Sequence, residues 1–369
     1  EDTQRRSFMK LMAASFGLAG LGFSGCRRPE HEILPYGKSP EELIPGVPNY
    51  YATSMPTTAG YLPLIVESHE GRPTKIEGNP SYVPFGGSTD IYAQASVLNL
   101  YDPDRARGSF QKEQKTLAGK TSTRWKKIQS NSILSRLNDW SSSGNVAILA
   151  DSSYSLARQE LVGELKKKGI IWAEFDSIDS NSFESELAAL LSSKQSVRAI
   201  PKLKNASRVL SLDCDFMGNR EPYFLANSRN FMSGRKVNKP KDALKMNRLY
   251  SVEADMTITG GVADHRLRLE SSRMKSFLCL LGAEILKTKT KKDTALIKKF
   301  SDIGKGTSKH LNWAKICAKD LLSVNGKSLI LAGNHLDAET HLIVYFLNGL
   351  LGSLDKTVSY VTQPFSSNF

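Results

Sequence analysis

The chain has 369 residues, 40 % of them hydrophobic and 24 % charged, with 50 Lys and Arg against 37 Asp and Glu for a formal net charge of +13. That length supports one large domain or two with a core that needs no disulfide or metal staple, and the apolar content excludes a disordered chain. Its four cysteines, Cys26, Cys214, Cys279 and Cys317, lie far apart, which excludes a local iron–sulfur or zinc ligand run and argues against a disulfide framework.

The first element is a targeting segment. Arg5, Arg6, Phe8 and Lys10 fall in the run Arg-Arg-Ser-Phe-Met-Lys, and an uncharged stretch of 15 residues follows from Leu11 to Gly25. A membrane span needs ~20 residues. A basic start with a shorter apolar run reads as a twin-arginine export signal. That route carries proteins already folded, so the protein is expected to work outside the cytoplasm. Cys26 follows Phe23-Ser24-Gly25 and is a candidate lipidation site. One acyl chain anchors only marginally, so firm attachment needs further contacts. Export also turns the basic balance away from nucleic acid and toward solvated surfaces, an anionic membrane or an acidic protein.

Residues 27–63 are rich in Pro, Gly and Tyr and read as an extended arm. Residues 64–123 follow as a hairpin and helix region. Leu64–Ser68 and Thr74–Glu77 read as strands around the turn His69–Pro73, a β-hairpin. Asp90–Leu100 reads as a helix, and Ser109–Ser122 as a polar loop. From residue 124 to 369 the texture is that of an αβα domain. Helices are expected near 124–140, 156–168, 182–192, 222–232, 273–286 and 338–351. Short apolar strands alternate with them at Asn145–Ala150, Ile170–Phe175, Arg208–Leu212, Leu249–Glu253 and Ser328–Ala332. Such alternation means βαβ units and a parallel sheet with helices on both faces. Ligands of these sheets bind beyond the strand carboxyl ends, which here carry Asp151, Asp213 and Cys214, Glu253 and Asp255, and Gly333-Asn334.

No dinucleotide-binding glycine fingerprint, phosphate loop or His-Glu-x-x-His pair occurs. His335 and His341 are six positions apart, and on one helix they would face opposite ways, against a shared metal.

Three segments resemble the molybdopterin oxidoreductases of the dimethyl-sulfoxide-reductase type. They are the hairpin Glu70-Gly71-Arg72-Pro73 through Gly78-Asn79-Pro80, the stretch Tyr101-Asp102-Pro103-Asp104-Arg105, and Leu249–Thr259 followed by Ala263-Asp264-His265-Arg266-Leu267. The resemblance implies the αβα parallel-sheet fold of that family. The departures from it bear on the cofactor. Active members carry four spaced cysteines before the hairpin, and no cysteine lies between Cys26 and Cys214. Where the family has Asp-Pro-Arg and a glycine-bearing turn against the cofactor, this chain has Glu253-Ala254-Asp255 and Leu269-Glu270-Ser271-Ser272-Arg273. Added carboxylates repel a pterin diphosphate, and loss of the glycine removes a close backbone approach.

Within that superfamily, the signal ending at Cys26, the arm Glu41–Thr53 and Met246–Tyr250 through Leu267 resemble the molybdopterin-oxidoreductase-like iron–sulfur protein family of alternative complex III, a quinol-oxidising membrane assembly. The resemblance implies a scaffold half without molybdopterin, and iron–sulfur clusters in a second half beyond Phe369. It also implies haem c and quinol-binding membrane subunits as partners, on the periplasmic face of the bacterial inner membrane. No catalytic, cofactor or metal residue is assigned within the chain. Two alternatives stay open: an active exported molybdenum oxidoreductase with Asp213 or Cys214 as ligand, and an exported binding protein unrelated to respiration.

Overall fold

The structure, a computed structural model, describes residues 5–23, 42–57, 60–117, 120–144, 146–153, 155–177, 182–219, 221–290 and 294–362. The chain forms two compact units, Glu1–Val47 and Pro48–Phe369. In the first, α1 (Arg5–Phe23) carries the Arg5-Arg6 pair, Phe8 and Lys10. Phe8 and Lys10 are exposed on it, as are Leu11 and Phe16. Arg5 and Arg6 open the helix, and Cys26 lies outside the described residues. Among the described residues no helix is long and apolar enough to cross a membrane.

The second unit starts with an antiparallel sheet of β1 (Asn49–Thr57), β2 (Gly60–His69) and β3 (Arg72–Gly78), in that order. The expected hairpin is present. Glu70 and Gly71 form its turn with φ of 53° and 78°, the left-handed pair that a two-residue hairpin demands. The arm reading of residues 27–63 needs correction at its end, because Asn49–Thr57 pairs with β2 along its whole length. β1 is an edge strand that carries Pro56 and is largely exposed, so it shows no alternation to read. Gly78 is required by close packing: a Cβ there would lie 2.4 Å from the carbonyl oxygens of Gly87 and Ser88. Asp90 caps α2 (Ile91–Ala95) by accepting the Ala93 N–H at 2.7 Å, and a 3-10 turn continues to Leu100. Tyr101 donates its hydroxyl to the Pro73 carbonyl and lies under the Arg72 guanidinium, so this motif ties the turn to the hairpin.

Ser109–Ser122 is not a loop. It belongs to a second hairpin, β4 (Ser109–Leu117) and β5 (Lys120–Ile128), and α3 begins only at Ser130 and ends at Ser143. The strands are polar and pair through opposite charges such as Lys126 and Glu113, so apolar periodicity gave no sign of them. β6 (Ala147–Ala150), α4 (Leu156–Lys167) and β7 (Ile171–Glu174) form a βαβ unit whose strands pair in parallel. Next come α5 (Ser182–Leu190), β8 (Val197–Pro201), β9 (Arg208–Leu212), α6 (Phe224–Ser233) and β10 (Arg248–Glu253). The chain continues with α7 (Ile258–Gly261), β11 (His265–Arg268), α8 (Met274–Lys289), α9 (Thr294–Gly304) and α10 (Leu311–Ser323). It closes with β12 (Ser328–Ala332), α11 (Ala338–Leu350) and β13 (Val358–Thr362), which pairs antiparallel with β8.

The central sheet is parallel in the order β11-β10-β9-β12. Strand alternation divides its side chains between two cores. Leu210, Leu212, Tyr250, Val252 and Ile330 meet α8, α10 and α11 on one face. Val209, Leu249, Leu329 and Leu331 meet Phe216, Phe231 and Val358 on the other. Burial on both faces is what a parallel sheet needs. β12 ends the sheet, and the Asn348 amide covers its free edge. It accepts the Ile330 N–H at 3.0 Å and donates to the Ile330 carbonyl at 2.9 Å.

Candidate functional site

β9 lies where the strand order turns: β10 and β11 are added on one side of it and β12 on the other. The crevice beyond the carboxyl ends of β9 and β12 is therefore where such a sheet receives a ligand. Asp213 follows β9 in a left-handed conformation with φ of 49°, which Asp tolerates better than most residues. Gly333 follows β12, and a Cβ there would sit 2.2 Å from the Asp213 carbonyl oxygen. Glycine is what lets the two strand ends close together.

Carboxylates fill this end. Asp213 accepts the Ala254 N–H at 3.1 Å, the Ser271 hydroxyl, and His335 Nε2 at 3.1 Å. Burial alone would raise its carboxyl, but these bonds from His335, Ser271 and Ala254 hold it below the ordinary value. Asp215 accepts the N–H and the hydroxyl of Thr259 at 2.9 and 2.7 Å. Glu253 is 2 % exposed, accepts the Thr257 hydroxyl at 2.6 Å and pairs with Arg266. A Cβ on Gly218 would strike Asp215, and one on Gly260 would strike Glu253. Each carboxylate thus lies in a space that a glycine leaves open. Glu221 is buried and accepts the Asn334 N–H at 3.3 Å. Burial pushes its carboxyl up to about 7, and the Asn334 bond and the nearby His335 only partly offset it. Backbone N–H groups, hydroxyls and a guanidinium are the donors an anionic ligand would use. At this end they are already engaged by the chain's own acids.

Cys214 lines a cavity of about 60 Å³ beside β12, with Glu184, Arg198, Glu221, Asn334 and His341 among its walls. Burial, followed by the charges of Glu221 and Asp215, pushes the Cys214 thiol well above its usual range. A free nucleophile needs the thiolate, and burial keeps Cys214 as the thiol. Cys279 and Cys317 are likewise free and buried. Among the described residues no group of three His, Cys, Asp or Glu could hold a metal ion. Glu184 and Arg198 form an ion pair that is about 5 % exposed on each side.

Of the strand-end residues read from the sequence, Asp213, Cys214, Glu253, Gly333 and Asn334 converge here. Asp255 is exposed, though its carbonyl accepts Arg266 at 3.1 Å. Asp151 belongs to the β6–β7 unit and pairs with Arg158 at 3.3 Å. Asp264 sits at the opposite end of the sheet, accepting the Leu249 N–H at 2.7 Å and pairing with Arg235. The reading of His335 and His341 as residues of one helix is corrected. His335 lies in the loop before α11, while His341 is inside it, stacked 3.9 Å from the Phe183 ring. Sequence reading missed Asp215, Glu221 and Ser271 as partners in this end. The signal for Ser271 was present, because it stands in the segment Leu269–Arg273 that the sequence analysis singled out.

No family model matches the chain, and no curated protein matches it. Among solved structures it is similar to acetylene hydratase from Pelobacter acetylenicus, with 10 % sequence identity and a TM-score of 0.56. The match covers 84 % of this chain and 44 % of that one, so the chain spans less than half the length of that neighbour. The fold is accordingly α/β of the molybdopterin oxidoreductase type, with a parallel sheet between helical layers.

Proposed function

We propose that this chain is a scaffold that keeps the molybdopterin-oxidoreductase fold without the pterin cofactor, in the iron–sulfur subunit of an exported quinol-oxidising complex of the alternative complex III kind. The observation that carries the reading is the filled carboxyl end of the sheet. The residues there do not fit a pterin diphosphate, because Asp213, Asp215 and Glu253 occupy the donors and the glycine-lined spaces that an anion would need. Placing a diphosphate beside three carboxylates is strongly unfavourable in a partly buried site. The twin-arginine run and Cys26 support assembly on the periplasmic face of the membrane, with haem-bearing and quinol-binding subunits as partners.

Elemental analysis of the purified native protein tests the cofactor reading. Molybdenum and tungsten are expected far below one per chain, and a stoichiometric amount of either overturns it. Mild detergent extraction tests the assembly: haem-bearing membrane proteins are expected to co-purify, and a chain that elutes alone overturns the respiratory assignment.

A further inference from the structure

The cavity beside β12 is walled by residues of α5, α6, α11, β8 and β12. Some of its polar side chains are satisfied by the chain itself. Arg198 is paired with Glu184. His341 Nε2 donates to the Gly333 carbonyl at 3.2 Å, and burial lowers this ring to about 4, so it stands neutral. Two others keep an atom free. Glu221 is 8 % exposed, and its Oε1 accepts the Asn334 N–H at 3.3 Å while Oε2 has no partner among the described residues. Asn227 is 5 % exposed, and its amide donates to the Pro222 carbonyl at 3.1 Å while Oδ1 has no partner among the described residues. Buried acceptors left without donors are costly, and a buried carboxylate without a cation is more so. Among the residues lining the cavity, Arg198 alone opposes Glu184 and Glu221. An ionised Glu221 therefore leaves the cavity with one negative charge in excess.

These observations define the chemistry of an occupant. Both free atoms accept, so the occupant donates, and the excess charge makes it a cation. A hard metal ion needs about six oxygens, more than the two offered. Phe183, Phe216, Val344 and Val358 give apolar wall suited to an alkyl stem. A volume of about 60 Å³ holds about four waters, or an ammonium group on a stem of about one to three carbons.

We infer that this cavity binds a small primary ammonium ion, its N–H groups donating to Glu221 and to Asn227 Oδ1 and its stem lying against Phe183, Phe216 and Val344. The inference stands on the cavity and its free acceptors, and does not depend on the cofactor reading or the respiratory assignment.

Calorimetric titration of the purified native protein at about pH 8 tests it. The probes are methylammonium and ethylammonium chloride, with potassium chloride and ethanol as controls at equal ionic strength. Both ammonium ions are expected to bind saturably at one site, with a Kd on the order of millimolar, the ceiling for so few heavy atoms. The controls are expected to give no saturable heat. Glu221→Gln can keep the Asn334 bond and removes the charge, and should weaken binding at least about tenfold.

The pH profile of the parent is a second measurement that needs no variant. Burial raises Glu221 to about 7, Asp215 adds to the rise, and Asn334 and His335 oppose it. The Glu184–Arg198 pair faces it across the cavity, while Cys214 and His341 are uncharged. Binding needs the carboxylate, so the Kd should be level above about pH 7 and rise about tenfold per pH unit below it. His335→Gln should keep that step. A lack of saturable heat with either ammonium ion, as from a cavity filled by water alone, overturns the inference. Equal binding of potassium or ethanol, a folded Glu221→Gln chain that binds like the parent, a Kd that is flat from about pH 5 to about pH 8, or loss of the step in His335→Gln overturns it too. If Glu221→Gln does not fold, the parent's profile decides.

Discussion

Two regions of this molecule use the same βαβ syntax with opposite outcomes. In the central sheet, Leu210, Leu212, Leu249 and Val252 are wholly buried between two cores. In β6 and β7 the strands alternate between half-buried and exposed, and α3 and α4 bury no residue fully. Apolar strand sequence therefore does not by itself imply a core. What decides is whether other elements pack on both faces of the strands. α8 illustrates the difference: ten of its 16 residues are buried, because α9, α10 and α11 all pack around it.

Truncation gives the widest separation between the two regions. Leu212→Ala removes buried methyl groups from a close-packed core and is expected to cost about 4 kcal/mol. Leu149→Ala on the exposed face of β6 should change stability by less than about 0.5 kcal/mol. Urea denaturation of the two variants measures both. Equal losses would mean that β6 and β7 are packed as tightly as the central sheet.

Acid-dependent stability sharpens the comparison at the carboxyl end of the covered sheet. Glu221 titrates at about 7 in the folded chain, above its ordinary 4.5. Between those two values the unfolded chain has released the proton and the folded chain still holds it. Stability from this group is thus complete below about pH 4.5, declines as pH rises to about 7, and is flat above. The span is on the order of 3 kcal/mol. Glu221→Gln should remove that decline, which denaturation at a series of pH values reads directly. No corresponding buried carboxylate stands in β6 or β7 among the described residues.

A third variant acts on the sheet edge. Asn348→Leu leaves both Ile330 backbone groups buried without partners and should cost about 2–3 kcal/mol. Hydrogen exchange should show the Ile330 amide losing protection first. Retained protection would mean that another group replaces the side-chain amide.

Much of this architecture was legible from residue order. Arg208–Leu212 and Ser328–Ala332 are the strands that their apolar runs announce, since strands buried on both faces need no alternation. β1, β4 and β5 were not legible, because exposed antiparallel strands are held by backbone pairing that leaves polar sequences free. β8, β11 and β13 are short and carry Arg198, Arg266, Arg268 or Tyr360, whose burial or pairing depends on residues distant in the chain. The candidate site was half legible. Asp213 and Glu253 stand where strand ends predict them. Thr257 lies only four residues from Glu253, but satisfaction by Ser271, His335 and Arg266 is tertiary, and spacing along the chain does not encode it.

The amide of Asn348, laid along the rim of β12, also bears on how the protein fails. A strand rim whose N–H and C=O are already taken is a poor template for an incoming chain. β6 and β7 have no such guard among the described residues, and their sequences Ala-Ile-Leu-Ala and Ile-Trp-Ala-Glu are short, free of proline and carry Glu174 as their one charge. Those are the features of a cross-β seed. Overproduced, the protein is expected to aggregate from the β6–β7 pair, while the central sheet keeps its native pairing inside the deposit.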